Sequence, residues 1–412
     1  MSSNPSETGS PPRPRLRRVI GASALTAYGV GNIVGAGIYV LVGEVAGIAG
    51  MWAPLSFVLA ALIAGFSALS YGELAARYPV SAGEVVYVKE AFGFDAAAVG
   101  VGLLLVAAGT VSSAALTRGF VGYTRVLLDL PDAAVTVAAV AGLGLVIVWG
   151  VRASVSLAVA LTIIEVGGLL LVLSGIWPSY ASALDRMPEL LPSLALDQWQ
   201  VVAAGAFVAL FAYLGFEDMV NMAEEVREPQ RAMPVAIVVA LVVSCVLYLL
   251  VVLGAVLSVA PETLAASEAP LAALYASTTG NSPAVIGFIG LAAAVNGALV
   301  QMVMVARVLY GMANRGLLPA VLRNVNARTR TPVVASLLVT LAVLALTLAF
   351  PLGALASATS LAVLLVFVLI NLALLIIKRK SPVAPGVKTL PVYLPVVGFV
   401  SSAGIVLVHL AF

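Results

Sequence analysis

The chain has 412 residues, of which 62% are apolar and only 10% are charged, against about 25% charged in a typical soluble domain. The mean hydropathy is +1.12, and a soluble globule cannot bury that much apolar surface. Disorder is excluded as well, because it requires low hydrophobicity and high net charge, whereas the net charge here is +2. The single cysteine, Cys245, excludes a disulfide scaffold. The composition therefore indicates an integral membrane protein.

Long charge-free stretches divide the chain into segments that can each cross a bilayer, which takes about 20 apolar residues in a helix. The run 331–377 is too long for one helix, and Pro351, Leu352 and Gly353 split it in two. Transmembrane barrels need short alternating strands with polar faces, whereas these runs are apolar throughout. The sequence predicts an all-α protein of about eleven transmembrane helices: 19–46, 51–76, 94–117, 133–151, 153–176, 199–222, 233–259, 284–307, 332–350, 355–377 and 390–411.

Lysine and arginine residues indicate the orientation of the spans, because cytoplasmic loops carry an excess of them. With a cytoplasmic N terminus, 18 of the 21 lie on the cytoplasmic side, and only Arg118, Arg125 and Arg186 lie outside. Eleven spans then place the C terminus on the extracytoplasmic side. Residues 1–18 are rich in proline and serine and are expected to form a disordered cytoplasmic tail. They are not a signal peptide, because the apolar run that follows is too long for one.

The first span contains four glycines within nine residues, namely Gly29, Gly31, Gly35 and Gly37. These glycines allow close helix packing, and each also disfavours a helix by about 1 kcal/mol relative to alanine. In the second interpretation the helix is unwound at membrane depth and its freed backbone groups line a cavity. A ligand with a carboxylate and an ammonium suits such a cavity. The N–H groups near Gly35 to Gly37 would bind the carboxylate, and carbonyls of the preceding half-helix would bind the ammonium.

The sixth span has a similar interruption, in which Gly215 is followed by the adjacent acids Glu217 and Asp218. Either the helix ends here and the acids lie at the interface, or the helix is broken and continues as a short inner half. The mostly apolar residues 219–223 favour the broken helix. The two interruptions are five spans apart, so they occupy corresponding positions in two five-helix halves of opposite orientation. This pattern is typical of a transport site at the midplane of an inverted repeat.

Glu165 lies in the middle of the otherwise apolar fifth span. A carboxyl in contact with lipid is costly, so this side chain is expected to face the bundle interior. Burial there disfavours its charged form, which suits reversible binding of a proton. The alternative is a protonated carboxyl that only hydrogen-bonds a neighbouring helix. Glu217 and Asp218 are the secondary candidates for proton coupling.

The sequence lacks the residues for soluble-enzyme chemistry, since it contains one histidine and one cysteine. The residues that a metal cluster or a histidine-based triad requires are therefore missing, and the sequence contains no phosphate-binding loop. Neither an enzyme activity, a metal site, a cofactor nor a nucleic-acid partner is expected.

Five groups of segments together resemble the amino acid–polyamine–organocation transporters, and within them the bacterial amino acid permeases related to cationic amino acid transporters. They are GNIVGAGIY at 31–39, LSYGELAARYP at 69–79 with SAGE at 81–84, FAYLGFE at 211–217, EEVREP at 224–229, and RVLYGM at 307–312 with GLLP at 316–319. The resemblance covers nearly the whole chain after residue 18. It implies a leucine-transporter-type fold of two inverted five-helix repeats in 19–377 with helices 1 and 6 unwound. A cytoplasmic loop at 378–389 and one extra C-terminal helix at 390–412 follow.

The resemblance also implies which residues bind the substrate. The family's carboxylate-binding positions match Gly35, Ala36 and Gly37, and its ammonium-binding carbonyls match Ile33, Phe211, Ala212 and Leu214, next to Gly215. The aromatic residue that occludes the substrate in relatives falls on Phe211, which the sequence pattern alone equally allows as a core residue. Proton-coupled relatives often carry a lysine in the fifth span, where this chain has Glu165.

The sequence thus predicts a secondary active transporter, a symporter in the cell membrane, that moves an amino acid by alternating access. The coupling ion is expected to be a proton, with sodium as the alternative, and the other partners are the amino acid and the lipid bilayer. The substrate is expected to be neutral, because the matched pocket positions are mostly apolar or small. Two alternatives remain open: a transport-inactive membrane amino acid sensor, and an exchanger of cationic amino acids or polyamines in which Glu165 or Glu217 binds the positive charge.

Overall fold

The computed structural model describes residues 18–80, 83–149, 155–326, 328–329 and 331–411, and of residues 155–160 it describes only the backbone. Throughout these ranges the secondary structure is helical, apart from one isolated bridge between Ile20 and Val226. Of the predicted tail at 1–18 only Arg18 is described, and the connection at 150–154 lies outside the described residues.

The first part of the chain forms mostly apolar helices, as expected of membrane spans, together with one short charged helix, Gly83–Phe92. They are α1 (Ala22–Val34), α2 (Ala36–Ala49), α3 (Ala53–Arg77), α4 (Gly83–Phe92), α5 (Asp95–Arg125), α6 (Asp132–Trp149) and α7 (Val155–Ile176). The second part continues with α8 (Met187–Leu190), α9 (Leu196–Ala209), α10 (Pro229–Ser258), α11 (Pro261–Ala265), α12 (Pro270–Thr279), α13 (Ala284–Asn314), α14 (Val333–Ala349), α15 (Leu352–Lys380) and α16 (Tyr393–Ala411).

Helices lie at every predicted span. Nine helical segments of the described chain are long and apolar enough to cross a membrane, and one of them, Ala22–Arg77, is 56 residues long and contains both of the first two predicted spans. The shorter apolar helix α14 has 17 residues. The predicted all-α, multi-span architecture is confirmed, and the number of eleven crossings stays a prediction. Helix α15 continues to Lys380, three residues into the predicted loop 378–389.

Large apolar side chains cover the outside of the bundle. Four of them, on the helices α6, α7 and α16, are each at least 66% exposed: Leu145, Trp149, Ile163 and Leu407. In water such a surface would drive aggregation, but in a bilayer the lipid chains cover it. Polar side chains are instead buried inside the bundle, which is where the site is found.

The first and sixth spans are interrupted, as predicted. At Gly35, which we call the first break, φ is −52° and ψ is −155°, and this turn separates α1 from α2. In the sixth span α9 is followed by a 3₁₀ turn, Leu210–Tyr213, and a further 3₁₀ segment, Glu217–Glu225. Between them, residues 214–216 form the second break, where Gly215 has a φ of +123° that favours glycine.

The chain that leads into α1 is tied to the chain that leaves the sixth span. The N–H groups of Val19 and Ile20 both donate to the Glu225 carbonyl, at 2.9 Å and 3.0 Å, and the Arg227 N–H donates to the Ile20 carbonyl at 2.8 Å. These bonds form the parallel bridge between Ile20 and Val226. Because all of them are backbone bonds, they do not depend on the side chains at these positions.

The last helix, α16, is fastened to α3 and α15 by a buried ion-pair network. Glu73 of α3 pairs with Arg77 and with Lys378 of α15, both at 2.8 Å, and all three side chains are at most 5% exposed. Lys378 donates to the carbonyl of Leu390 at 2.6 Å, and the Leu390 N–H donates to Glu73 at 2.9 Å. The segment that enters α16 is therefore part of the network that joins α3 to α15.

Candidate functional site

The two breaks border one cavity, with about 460 Å³ of empty space that includes its opening to solvent. Seven of the eight residues predicted from the sequence to bind the substrate line it: Ile33, Gly35, Ala36, Gly37, Phe211, Ala212 and Leu214. The remaining lining residues come from α1, α5 and α13: Gly31, Asn32, Ser112, Leu116, Asn296, Gly297, Val300 and Gln301. The eighth predicted residue, Gly215, lies outside this lining and contacts the backbone of Asn32.

Next to the two breaks, the first and sixth spans approach each other backbone to backbone. This close approach requires glycine at two positions. A Cβ atom on Gly37 would lie 2.8 Å from the Cα of Ala212, and one on Gly215 would lie 2.7 Å from the carbonyl oxygen of Asn32. Neither neighbour is a flexible side chain that could move away. Gly35 is different, because its Cβ would meet nothing closer than 3.6 Å. The glycine at the first break is thus needed less for space than the one two residues later.

Opposite ends of half-helices face the cavity. Helix α2 begins at Ala36 with no side-chain cap at Gly35, so the N–H groups of its first turn have no intrahelical partner. Together with the helix dipole, these groups favour a bound anion. Helix α1 ends at Val34 and the 3₁₀ turn of the sixth span ends at Tyr213, and these ends present carbonyl oxygens, which favour a cation.

Two of the carbonyls predicted to bind an ammonium share one hydrogen-bond donor. The hydroxyl of Tyr248, on α10, lies 2.5 Å from the carbonyl oxygen of Ile33 and 3.0 Å from that of Ala212. Tyr248 is fully buried and packs edge-on against Phe57, with ring centroids 6.2 Å apart. A single hydroxyl thus reaches one carbonyl from each interrupted span.

A polar network fastens the second break to α1 and α13. The Asn32 amide donates to the Gly215 carbonyl at 2.8 Å and to Asp218 at 3.0 Å, and Gln301 donates to the same Asp218 oxygen at 3.1 Å. Glu217 accepts the Gly215 N–H at 2.8 Å. Both acids are only 7% exposed. They therefore lie inside the protein, as the broken-helix interpretation predicts, and not at an interface.

Next to the network lies a second cavity, called here the acidic cavity, with about 380 Å³ of empty space that includes its opening to solvent. It shares Ser112, Leu214 and Gln301 with the first cavity and is also lined by Tyr71, Leu105, Ala108, Gly109, Glu217, Asp218, Met304, Thr359, Val363 and Val366. The Tyr71 hydroxyl is buried and has no hydrogen-bond partner among the described residues. Nearby, at the start of α4 and outside the spans, burial raises the pKa of Glu84 to about 8, and Asp218 adds to the rise.

Glu165 faces the bundle interior, where its side chain is fully buried. Asn296 of α13 donates to one carboxyl oxygen, Oε1, at 3.1 Å, while Oε2 has no hydrogen-bond partner in the described part of the chain. The Tyr39 hydroxyl donates to the Glu165 carbonyl at 2.6 Å, which fixes the backbone of α7 against α2. Since Asn296 also lines the first cavity, a single side chain separates that cavity from Glu165.

The site residues that were not predicted from the sequence include four that form its hydrogen bonds: Asn32, Tyr248, Asn296 and Gln301. The three amides carry a usable signal, because uncharged polar side chains inside apolar spans need partners just as acids do. A search restricted to charged residues passes over them. Tyr248 carries no comparable signal, since tyrosine is common in apolar helices and only the fold reveals what its hydroxyl contacts.

These features define a class of protein. A bundle of apolar helices with two interrupted spans that meet at one cavity is the arrangement of the leucine-transporter-type fold. The solved structure of MhsT in complex with L-phenylalanine has this fold. It matches with a TM-score of 0.67 over 97% of this chain and 100% of that chain, at 15% sequence identity. The likeness confirms the predicted fold class.

The chain belongs to the amino acid permease family, whose sequence model matches residues 20–412. Among its relatives, the "Cationic amino acid transporter 2, vacuolar" of Arabidopsis thaliana is 30% identical over 400 residues, which is 89% of this chain and 61% of that protein. The "Branched-chain amino acid permease BcaP" of Bacillus subtilis is 29% identical over 91% of this chain and 85% of that protein. The chain thus spans less than two thirds of the Arabidopsis relative. The family membership predicted from the sequence is confirmed.

Proposed function

We propose that the protein is a secondary active transporter that carries an amino acid across the cell membrane by alternating access, coupled to a proton. The observation that supports this function best is the pairing of opposite backbone charges in one cavity. The uncapped start of α2 offers N–H groups, and the ends of α1 and of the 3₁₀ turn Leu210–Tyr213 offer carbonyls. An α-amino acid carries a carboxylate and an ammonium one carbon apart, so it complements both sets at once.

The side chain of the substrate would then lie against the apolar part of the lining. Leu116, Leu214 and Val300 form this part, and none of them offers a polar group to a substrate side chain. Phe211 is only 4% exposed and also lines the cavity, so its ring can cover a bound substrate. This surface favours a neutral amino acid.

One observation favours the alternative of a cationic substrate. The acidic cavity adjoins the first cavity through shared residues and contains Glu217 and Asp218. A long side chain with a terminal positive charge could reach these carboxyls. Their hydrogen bonds already come from Asn32, Gln301 and Gly215, however, so a cation would have to compete with an existing network. We therefore retain the neutral substrate as the first choice.

Proton coupling is assigned to Glu165. A carboxyl that is fully buried and has one oxygen without a partner among the described residues is destabilised when it is charged. Asn296 connects it to the cavity, so that filling of the cavity and protonation of Glu165 can influence each other. Alternation between a protonated and an ionised Glu165 on opposite sides of the membrane would drive accumulation of the substrate.

Uptake into proteoliposomes tests the proposal. Purified protein should accumulate a labelled neutral amino acid when the lumen is alkaline relative to the outside, and a protonophore should abolish the accumulation. Liposomes without protein provide the background. Lysine and arginine should compete poorly with a neutral substrate. Accumulation that follows a sodium gradient instead would contradict proton coupling, and binding without any uptake would identify a sensor.

The orientation gives a separate prediction. A reporter fused before Met1 should be cytoplasmic and one fused after Phe412 extracytoplasmic, because 18 of the 21 basic residues then face the cytoplasm. A reporter fused after Lys388 is the matched control, since it follows one span fewer and should be cytoplasmic. Labelling of the reporters in intact cells measures the outcome. If the fusions after Lys388 and Phe412 lie on the same side, α16 does not cross the membrane.

A further inference from the structure

The hydroxyl of Tyr248 occupies the point at which the two interrupted spans converge. It lies 2.5 Å from the Ile33 carbonyl oxygen and 3.0 Å from the Ala212 carbonyl oxygen. The ring is held in place by Phe57 on one side and by Tyr213, with centroids 5.2 Å apart, on another. Tyr248 is fully buried, so its hydroxyl is shielded from bulk solvent.

A phenol hydroxyl has one hydrogen and can therefore donate to only one of these carbonyls at a time. While the hydroxyl donates to one carbonyl, the other carbonyl receives no hydrogen bond from Tyr248. Each carbonyl oxygen also has a second lone pair, so another donor can approach from the side of the cavity, which both residues line. The hydroxyl and a donor in the cavity can thus share the two carbonyls.

Converging carbonyls from unwound half-helices are the arrangement that coordinates a cation in transporters of this fold. Here a neutral hydroxyl occupies that point. It can donate to either carbonyl without adding a positive charge, and it remains covalently attached to α10.

We propose that Tyr248 is a positioning residue that bridges the two breaks in place of a bound cation and directs the carbonyls of Ile33 and Ala212 towards the ammonium of the substrate. In the empty protein its proton alternates between the two carbonyls. When an ammonium binds, it donates to the carbonyl that the hydroxyl leaves free. The role towards the ammonium depends on the proposed function, whereas the bridge between the two carbonyls does not.

Hydrogen exchange of the empty protein tests the bridge without any ligand. Tyr248→Phe should accelerate amide exchange in the segments 30–38 and 210–218, because both breaks lose the hydroxyl. Tyr180→Phe is the matched control, because the Tyr180 hydroxyl also donates to a backbone carbonyl, that of Leu250 in α10, at 2.5 Å. This hydrogen bond lies away from the breaks. It should leave both segments unchanged. Unchanged exchange in Tyr248→Phe would overturn the bridge.

The same measurement decides between the hydroxyl and an ion. Replacement of sodium chloride by choline chloride should leave exchange of the wild type in both segments unaltered, since the point of convergence is already filled. Slower exchange in sodium than in choline would show that a cation holds the carbonyls, and it would overturn the inference.

A pair of ligands tests the role towards the ammonium. The probes are the L-amino acid that the wild type accumulates most and the same compound without its α-amino group. Tyr248→Phe should weaken binding of the amino acid about tenfold and leave binding of the deaminated compound nearly unchanged. Equal weakening of both would mean that Tyr248 only supports the fold. If the wild type binds no amino acid, the proposed function and the ammonium role both fail, while the exchange data still decide the bridge.

Discussion

Substitution of Gly37 by alanine should reduce uptake of the amino acid to the level of empty liposomes, and Gly37→Leu should do the same. The added Cβ would lie 2.8 Å from the Cα of Ala212 and 3.4 Å from its Cβ, so the start of α2 and the 3₁₀ turn of the sixth span must separate. That movement displaces the N–H groups of α2 relative to the carbonyls across the cavity. Binding of the amino acid to the purified variant, measured by equilibrium dialysis, should be lost together with uptake.

The control for Gly37→Ala is Gly142→Ala in α6. A Cβ at Gly142 meets nothing within 4 Å, and alanine is the better helix former by about 1 kcal/mol. This variant should therefore retain wild-type uptake. Wild-type affinity in a folded Gly37→Ala protein would contradict the close contact between the two breaks. It would also remove the main support for a binding site formed by their backbone groups.

Substitution of Glu165 by glutamine should abolish accumulation driven by a pH gradient while binding and counterflow exchange continue. Glutamine keeps the shape of the side chain and can still pair with Asn296, but it cannot gain or lose a proton. The variant should equilibrate the substrate without concentrating it. Uptake at imposed pH gradients and counterflow at equal pH, measured on the same proteoliposomes, separate the two activities.

Glu44→Gln serves as the control, because it also removes one carboxyl from an interrupted span, next to Gly353 and outside the cavity lining. It should retain gradient-driven accumulation. If Glu165→Gln accumulates substrate at the wild-type rate, Glu165 is a structural hydrogen-bonding group. The coupling residue then has to be sought at Glu217 or Asp218.

The interruptions of the spans could be predicted from the sequence because they have a local cause. Glycine lowers the stability of a helix wherever it stands, and Gly35, Gly37 and Gly215 are concentrated in two of the spans. Glu165 could be placed inside the bundle for a similar reason, since a carboxyl in lipid is costly whatever its neighbours. Family resemblance then supplied the roles of individual positions, which the physical pattern alone leaves open.

The partners across the site could not be predicted in the same way. Asn32 and Asp218 are 186 residues apart in the chain, and Ile33 and Tyr248 are 215 apart. Only the packing of whole helices brings such pairs together, and a single sequence contains no measure of that packing. The sixth span shows the same limit on a smaller scale. Its inner half is a 3₁₀ segment, Glu217–Glu225, and its Asp218 contacts α1 and α13 through Asn32 and Gln301.

The bridge between Ile20 and Val226 limits how the two interrupted spans can move. It joins the beginning of α1 to the end of Glu217–Glu225 by backbone hydrogen bonds, while Asn32 joins the same two segments near the breaks. Helix α1 and the segment Glu217–Glu225 are thus hydrogen-bonded to each other at both ends. We therefore expect a displacement of α1 to displace Glu217–Glu225 with it, because the backbone bonds at one end and the bonds of Asn32 at the other resist their separation.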